Sequence, residues 1–318
     1  MKARWIFNAN AGSAAAFEAM RPRIEALGGQ QLVPSQDPTD TAAAIACSRA
    51  DGFDTVIACG GDGTVNSVAS GLMQCHADDP AGRPVLGVLP MGTGNDFART
   101  LGMPLDPELA IDALLTGLRR PCDVGLVYTG DLARPRYSIN VAAGGFSGQV
   151  NEAATGEVKS FWGSLAYLRS ALSVIPELTH FIATLSFDDG PPEQVELLNM
   201  IVANARTAAG GTVVAPQASI EDGLLDVVMV RGGTVIDYAA VVAHLLAGDY
   251  TEHDLVELRR CRQLSITSDP PMTFNIDGDL LPPGPLRFEL TPAALTVIVG
   301  PDYMPTMPAP ADAGTSTF

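Results

Sequence analysis

One stretch of the chain joins an apolar run to a glycine-rich turn, and it reads Thr55-Val56-Ile57-Ala58-Cys59-Gly60-Gly61-Asp62-Gly63-Thr64. The apolar run has the length of a buried strand, and the residues that follow, Val65–Met73, are typical of a helix. The same order recurs further along, with a strand at Pro84–Leu89, a turn at Gly92–Gly94 and a helix near Asn95–Leu101. Strands that alternate with helices predict a parallel sheet with helices on both of its faces.

The pattern changes at about Tyr128. Before this point, further strands are predicted at Arg4–Asn8 and Gln31–Pro34, and further helices at Ser13–Leu27 and Asp40–Ala50. After it come short apolar segments, several with the alternation of a half-buried strand, separated by Pro, Gly and Asp clusters. These segments are Phe181–Phe187, Val195–Ala203, Leu224–Val230, Leu264–Thr267, Met272–Ile276, Leu286–Leu290 and Ala294–Val299. They predict an antiparallel β-sandwich.

The two patterns divide the chain into three predicted parts. An α/β domain occupies residues 1–127, and a β-sandwich domain occupies residues 128–300, with a last strand that could return to the N-terminal sheet. Residues 301–318 are rich in Pro, Ala and Thr, a composition that predicts a disordered tail. A length of 318 residues is enough for two domains that each bury a core.

Composition narrows the class of protein. Hydrophobic residues make up 47% of the chain and charged residues 17%, which is typical of a globular protein. No apolar run approaches the roughly 18–20 residues of a membrane span, and the first residues lack the features of a signal peptide. The five cysteines are scattered, without the spacing of a disulfide framework or a zinc site. We therefore expect a cytoplasmic protein.

The net charge of −17 bears on the partners of the protein. A surface this acidic repels phosphate backbones, so we expect no nucleic-acid partner. It also repels anionic lipid headgroups. Any contact with a bilayer would therefore need a local apolar or basic face.

Two predicted loops carry most of the chemistry: the first glycine loop, Gly60–Thr64, and the second glycine loop, Gly92–Asp96. Loops at the carboxyl ends of parallel strands bind ligands, and glycines let backbone N–H groups approach phosphate oxygens closely. Each loop also carries an acid, Asp62 or Asp96. A carboxylate beside a polyphosphate needs a cation between them, and Mg²⁺ is the natural choice. The alternative is that both loops are ordinary βα turns whose acids cap helices.

The first glycine loop does not have the spacing of a P-loop, and the chain has only two lysines, Lys2 and Lys159. Backbone amides and a metal ion would then neutralise most of the phosphate charge. Arg99, just after the second glycine loop, could contribute, or it could be a solvated helix residue.

Together with their flanking residues, Gly60–Asn66 and Pro90–Ala98 resemble the motifs of the diacylglycerol-kinase catalytic family, most closely the bacterial YegS-like and DgkB-like lipid kinases. The resemblance extends to about Gly300. Later segments follow the order of the family: Asn140, Gly144-Gly145-Phe146, Ala203-Asn204-Ala205-Arg206, Gly210-Gly211, Ala215-Pro216, Asp222–Asp226 and Asn275–Asp279. The resemblance implies an N-terminal domain with the fold that this family shares with NAD kinases, and a C-terminal lipid-substrate domain.

The resemblance also implies a role for individual residues. Those that would contact ATP are Asn8, Ser35, Gly60, Gly61, Asp62, Gly63, Thr64, Val65, Asn66, Gly92, Thr93 and Asn95. Asp62, Asp96 and Asp123 would organise the catalytic Mg²⁺ through water. Asp222, with the backbone carbonyls of Ser219 and Leu224, would hold a second, structural divalent ion.

The general base implied by the resemblance is Asp279, at the end of the Asp277-Gly278-Asp279 turn. The bacterial members usually have Glu at this position, so Asp279 is one methylene shorter, and Asp277 is the alternative base. Ser35, Ala9 and Ser67 also depart from the family pattern, at positions where Thr, Pro and Glu are common. The alternative to a functional role is that Asp277–Asp279 and Asp222-Gly223 only form turns.

The same resemblance implies the acceptor of the phosphoryl group: the hydroxyl of a diacylglycerol-like lipid. The segment Phe161–Leu168, continuing to Ile175, predicts a helix that either packs on the sandwich or touches lipid. The headgroup is expected near Asn140–Ser147. Transient contact with the inner face of the membrane is implied, and the sequence leaves the oligomeric state and the individual lipid open.

Two other functions remain open on the sequence. One is an NAD-kinase-like phosphotransferase that acts on a soluble substrate. The other is a non-catalytic lipid- or nucleotide-binding module of the same fold.

Overall fold

A computed structural model describes residues 1–8, 14–75, 79–130, 135–145, 179–248 and 250–305. Its helices are α1 (Ala14–Ala26), α2 (Pro38–Ala46), α3 (Asp62–Cys75), α4 (Asp96–Thr100), α5 (Pro107–Thr116) and α6 (Val235–Ala247), with short 3₁₀ helices at Pro80–Gly82 and Tyr250–Glu252.

The strands alternate with the helices in the first half and follow one another in the second. They are β1 (Ala3–Asn8), β2 (Gln31–Ser35), β3 (Thr55–Gly60), β4 (Val85–Pro90), β5 (Leu118–Thr129), β6 (Arg136–Ser138), β7 (Val141–Gly145), β8 (Phe181–Phe187), β9 (Glu193–Ala203), β10 (Thr207–Ala208), β11 (Thr212–Val213), β12 (Leu225–Arg231), β13 (Val256–Cys261), β14 (Gln263–Asp269), β15 (Phe274–Ile276), β16 (Asp279–Leu280) and β17 (Leu286–Val299).

The N-terminal half is a parallel sheet in the order β2-β1-β3-β4, with helices packed on it. Every residue of β3 and β4 is buried, as expected of parallel strands covered on both faces. The C-terminal half is an antiparallel sandwich, and the inner faces of its strands form a separate apolar cluster around Phe181, Phe274 and Phe288. The predicted fold class is therefore confirmed.

Strand β17 joins the two halves. Its first part pairs antiparallel with β14, and its last part pairs parallel with β4 at Val297 and Leu86. An irregularity between Thr291 and Leu295 separates the two parts. The two segments predicted at 286–290 and 294–299 are thus one strand, and its end lies in the N-terminal sheet.

Strand β5 pairs with β17 along almost its whole length, so the predicted division between residues 127 and 128 falls inside a continuous strand. The elements without a counterpart in the sequence prediction are helices α5 and α6 and strands β5, β6, β7, β10, β11, β13 and β16. The predicted tail begins with residues that contact the N-terminal half: the Asp302 amide donates to the Gly102 carbonyl at 3.3 Å. Residues 306–318 lie outside the described residues.

Candidate active site

The two glycine loops follow neighbouring strands and touch each other. Strands β3 and β4 pair in register up to Gly60 and Pro90, and the Met91 amide donates to the Gly60 carbonyl at 3.0 Å. A Cβ placed on Gly61 would lie 3.1 Å from the Cα of Gly92, and one placed on Gly92 would overlap Gly61. Only glycine allows this approach of the two backbones.

The first glycine loop is largely the start of a helix. Helix α3 begins at Asp62, three residues earlier than predicted, because the amides of Thr64 and Val65 already donate to the Gly61 carbonyl. The partial positive charge of a helix N-terminus therefore lies at the carboxyl edge of the sheet, where it favours an anion. Gly63 is exposed, whereas Val65 is buried in the core, so only its backbone could reach a nucleotide.

Asn95 shapes the second glycine loop from within. Its side-chain oxygen accepts from the Gly92 amide at 2.9 Å, and its side-chain nitrogen donates to the Gly92 carbonyl at 2.8 Å. Asn95 is left-handed, with a φ of 54°, a conformation that asparagine tolerates better than most residues. Its side chain therefore holds the loop closed, while Thr93 at the tip is exposed.

The carboxylates of Asp62 and Asp96 both lie close to Gly94. A Cβ placed on Gly94 would lie 2.9 Å from Asp62 Oδ2 and 3.2 Å from Asp96 Oδ2. Asp62 Oδ1 accepts from the Phe97 amide at 3.0 Å, which links α3 to α4. Burial raises the pKa of Asp96, and the charge of Asp62 raises it further. The two predicted carboxylates thus lie together and repel each other.

Asp96 also connects the two halves of the molecule. Its carboxylate accepts from the amides of Gly210 and Gly211 at 3.0 and 2.6 Å, and its carbonyl accepts from the Thr207 hydroxyl at 2.8 Å. Arg99 lies against Gly211 and donates to the Gly94 carbonyl at 3.3 Å. The guanidinium is therefore beside the glycine loops.

Both carboxylate oxygens of Asp277 accept hydrogen bonds from backbone amides. Its carboxylate accepts from the amides of Ile139, Asn140 and Val141 at 2.9, 3.2 and 3.0 Å. Burial raises the pKa of Asp277 to about 7 against the lowering effect of these hydrogen bonds, and the charge of Asp62 adds to the rise. Asp277 is therefore an electrostatic neighbour of Asp62, although the two are far apart in sequence.

Asp279 is placed differently from Asp277. Its side chain is 73% exposed, and its nearest charged partner is Arg136, at 3.7 Å. The turn between them has the left-handed residues Asp277 and Gly278 and is held by a bond from the Gly278 amide to Asn275 Oδ1 at 2.9 Å. Of the two candidate bases, Asp279 is the one whose carboxylate is open to a substrate.

Asp123 lies beside Asp222, at the loop of residues 219–224. Its buried carboxylate accepts from the amides of Gly223 and Ala293, both at 2.7 Å. Burial raises its pKa, and the charges of Asp222 and Glu221 raise it further. These contacts join the Asp222 loop to the irregularity in β17, and the role of Asp123 at the catalytic ion stays a prediction.

In the Asp222 loop, which comprises residues 219–224, one carboxylate oxygen receives no hydrogen bond from the described part of the chain. Asp222 Oδ1 accepts from the Leu224 amide at 3.1 Å, whereas Oδ2 is buried and has no hydrogen-bond partner among the described residues. Ser219 is buried beside it and accepts weakly from the Glu221 amide, at 3.4 Å. A buried carboxylate oxygen without a donor fits the predicted divalent ion at Asp222.

Within the described ranges, no three His, Cys, Asp or Glu side chains come together in a group that could hold a metal ion. Ions at Asp62 and Asp96, or at Asp222, would therefore need carbonyl, water or phosphate ligands as well. Such sets are typical of Mg²⁺, which keeps several waters and uses few carboxylates. The residues present thus fit this ion.

The remaining predicted nucleotide contacts lie along the same edge of the sheet. Asn8 and Ser35 are register partners at the ends of β1 and β2. The Ser35 hydroxyl donates to the Asp37 carbonyl at 2.9 Å and lies 2.7 Å from the Thr41 hydroxyl. Ser35 is therefore engaged at the start of α2. Asn66 and Thr64 lie on the first turns of α3.

Sequence reasoning assigned no role to several residues that support the site. Asn204 donates to the carbonyls of Asp123 and Ile139, and Arg120 binds Glu221 with two hydrogen bonds of 2.9 and 2.7 Å. Asp226, 2% exposed, binds Arg260 at 3.0 Å. The partners of each are distant along the chain, so no spacing pattern could have indicated them.

Parts of the predicted lipid-binding region lie outside the described residues: the segment Phe161–Ile175, and residues 146 and 147 of the expected headgroup cleft. The rest of that cleft, from Asn140 to Gly145, contains β7 and is bound by Asp277. In the part of the chain that the structure describes, no helix has the length and apolarity to cross a bilayer.

Comparison with known proteins agrees with this architecture. A family model described as the diacylglycerol kinase catalytic domain matches residues 2–127, and one described as the YegS C-terminal NAD kinase beta sandwich-like domain matches residues 140–299. A Pseudomonas aeruginosa (strain UCBPP-PA14) protein named "Probable lipid kinase YegS-like" is 36% identical over 248 residues, 78% of this chain and 77% of that protein.

A diacylglycerol kinase of Bacillus subtilis (strain 168) is 31% identical over 228 residues, which cover 71% of each chain. Among solved structures, a diacylglycerol kinase from Bacillus anthracis str. Sterne superposes with a TM-score of 0.74 at 23% identity. That superposition covers 94% of this chain and 97% of the other, and it shows a shared fold.

Proposed function

The chain belongs to the diacylglycerol kinase catalytic-domain family, and from this premise we propose that it uses ATP and Mg²⁺ to phosphorylate the hydroxyl of a diacylglycerol-like lipid. Membership in this family makes the protein a phosphotransferase. The nucleotide, the ion, the acceptor and the residues that bind them are our proposal.

One observation carries the proposal: the two glycine loops touch, and their acids Asp62 and Asp96 face the same glycine. Two adjacent loops whose backbones can reach phosphate suit a polyphosphate. Two repelling carboxylates beside it call for a cation, because otherwise the ligand and the protein would repel each other.

In this proposal the residues act mostly by alignment, as phosphoryl transfer requires. The N-terminus of α3 and the second glycine loop hold the phosphates, and Asn95 keeps that loop in shape. Asp62 and Asp96 hold the ion, which neutralises charge on the phosphoryl group when it is bound. Arg99 lies close enough to add a positive charge to the same edge.

We assign proton removal to Asp279. A base must have a carboxylate within hydrogen-bond reach of the acceptor hydroxyl, and Asp279 is exposed, whereas the oxygens of Asp277 are occupied by three amides. Asp277 instead holds the β6–β7 turn, next to the strand where we expect the lipid headgroup.

The alternative functions have less support. The glycine-loop motif occurs in NAD kinases as well, but the named relatives with more than 30% identity are lipid or diacylglycerol kinases. A non-catalytic module would have no need to retain two repelling acids at the nucleotide loops together with an exposed acid at Asp279.

The test is transfer of radiolabel from ATP to lipid by the purified chain and by Asp62→Asn. We expect the variant to lose at least a factor of about 100 in turnover, because the ion loses a ligand that acts in the transition state. Asp189→Asn, which alters an exposed turn residue, is the matched control and should retain full activity. Equal turnover by Asp62→Asn and the control would refute the assignment of Asp62.

The acceptor is tested by screening extracted lipids, diacylglycerol and NAD with the same labelled ATP. Label in a lipid with a free hydroxyl supports the proposal. Label in NAD or another soluble metabolite, with every lipid unlabelled, would contradict it.

A further inference from the structure

A cavity of about 470 Å³ lies at the opposite end of the sheet from the glycine loops. It is lined by the starts of β3 and β4, at Asp54 and Val85, and by Thr296 of β17. Strands of six residues separate it from the loops that follow their other ends, a distance of roughly 17–20 Å at about 3.3 Å per residue. The candidate active site therefore does not include this cavity.

Three arginines, Arg49, Arg83 and Arg119, line the cavity against one carboxylate, Asp54. We call it the basic cavity. Lys2 adds to it, since its ammonium lies 4.0 Å from where a Cβ of Gly52, another lining residue, would be. A concentration of positive charge is unusual in a chain with a net charge of −17. Salt screens the more distant charges, so the charges that line the cavity determine which ligand binds there.

Two of these arginines are only weakly neutralised. Arg49 lies 3.3 Å from Asp79, and Arg119 lies 3.7 Å from Asp54, and all four side chains are more than half exposed. Ion pairs of this kind contribute little and exchange readily for a better partner.

Arg83 is the least satisfied of the three. Its Nη1 donates to the Ala294 carbonyl at 2.6 Å, but its Nε is buried and has no acceptor among the described residues. No carboxylate in the described part of the chain forms an ion pair with Arg83. A guanidinium that lines the cavity without a carboxylate partner keeps its positive charge available to an anion bound there.

The guanidinium of Arg49 lies over Gly82, the residue before Arg83. A Cβ placed on Gly82 would overlap both Arg49 Nη1 and Asp79 Oδ2, so this exposed ion pair covers the backbone of Gly82 and an anionic ligand would have to replace Asp79 as the partner of Arg49. Planar guanidinium groups bind phosphate oxygens in pairs and are better suited to this than lysine.

From these observations we propose that the basic cavity is a second anion site, which binds the phosphate monoester group of a ligand other than the nucleotide. Arg83 is its central residue, with Arg49 and Arg119 at its rim. Free inorganic phosphate and the headgroup of a phosphomonoester lipid offer the same chemistry.

The experiment measures the rise in melting temperature of the full chain with increasing inorganic phosphate, at ionic strength matched with chloride. The variants are Arg83→Gln and Arg119→Gln, and Arg231→Gln is the matched control because it removes an exposed, paired arginine elsewhere. Wild type and the control should show a saturable rise. Arg83→Gln should need at least about tenfold more phosphate for the same rise.

Phosphate at the glycine loops affects all variants alike, so the difference between variants is the readout. If Arg83→Gln does not fold, Arg119→Gln, at an exposed position, provides the same comparison with a smaller expected shift. An unchanged phosphate response in both variants, or a wild-type response no larger than that to chloride, would overturn the proposal.

A second arm distinguishes the two sources of the anion. Phosphatidylcholine vesicles with and without phosphatidic acid are mixed with wild type and Arg83→Gln, and bound protein is separated by flotation. Capture that requires both phosphatidic acid and Arg83 assigns the cavity to a lipid headgroup. A shift with soluble phosphate and no capture assigns it to a free anion, and the absence of both contradicts the proposal.

Discussion

At the scale of single residues, the most informative difference is between Asp277 and Asp279, two acids of one turn. Asp277 accepts from three backbone amides, whereas Asp279 is exposed. Their spacing alone could not separate a structural acid from a catalytic one, because an Asp-Gly-Asp turn places either carboxylate near a substrate.

The pKa of Asp277 predicts a pH dependence of stability. The pKa is raised to about 7 in the folded protein, above the ordinary aspartate value, so the folded state holds this proton where the unfolded state has lost it. Its contribution to the free energy of unfolding is present at acidic pH and is lost as pH rises towards 7. Asp277→Asn should remove this part of the pH dependence, measured by urea unfolding with a metal chelator present.

Asp279→Asn is the matched comparison for Asp277→Asn. It should lower turnover by about 100-fold or more, as expected for loss of a general base. Asp279→Glu should retain turnover, because it keeps a carboxylate at this exposed position. Full turnover in Asp279→Asn would remove this residue from the mechanism.

At the scale of elements, the contact between the two glycine loops positions α3 against α4. The backbones of Gly61 and Gly92 meet where β3 and β4 end, and the bond from Phe97 to Asp62 continues the contact. The glycines of the two loops thus differ in purpose: those at the contact permit close packing, whereas Gly63 meets no atom within 4 Å of an added Cβ.

This difference predicts opposite outcomes for two alanine substitutions. Gly92→Ala forces the loops apart and should lower the free energy of unfolding by about 1–3 kcal/mol, with weaker ATP binding. Gly63→Ala, inside the first turn of α3, should leave stability unchanged or raise it by up to about 1 kcal/mol. Chemical denaturation and calorimetric titration of MgATP measure both quantities. Equal stability of the two variants would contradict the proposed contact.

At the scale of the whole molecule, the candidate site depends on how the two halves meet. Asp96 from the N-terminal half accepts from Gly210 and Gly211 of the C-terminal half, and β17 runs through both. The loop that would hold the catalytic ion and the half that would bind the lipid are therefore connected directly.

Removal of this connection should weaken the whole fold. Asp96→Ala leaves two backbone amides without their acceptor, so we expect a loss of about 2–3 kcal/mol in the free energy of unfolding. Asp112→Ala removes an exposed carboxylate that pairs with Arg23 on the surface, and it should cost less than about 1 kcal/mol. Differential scanning calorimetry compares the two, and similar losses would show that Asp96 does not join the halves.

The sequence alone determined the local order of strand, glycine turn and helix, and from it the parallel sheet and the placement of Asp62 and Asp96 at one edge. These are properties of short stretches, in which hydrophobic periodicity and glycine content limit the backbone to few conformations. The resemblance of the motifs also identified the family.

Only the tertiary structure decided which acids act together. The order of residues in the chain could not show that Asp123 accepts from the amides of Gly223 and Ala293, which bring it beside Asp222. The bond from Asp96 to the Gly210–Gly211 turn and the cluster of arginines at the far end of the sheet likewise join residues far apart in sequence. Such contacts depend on how whole strands and helices pack, and no local pattern of residue types encodes them.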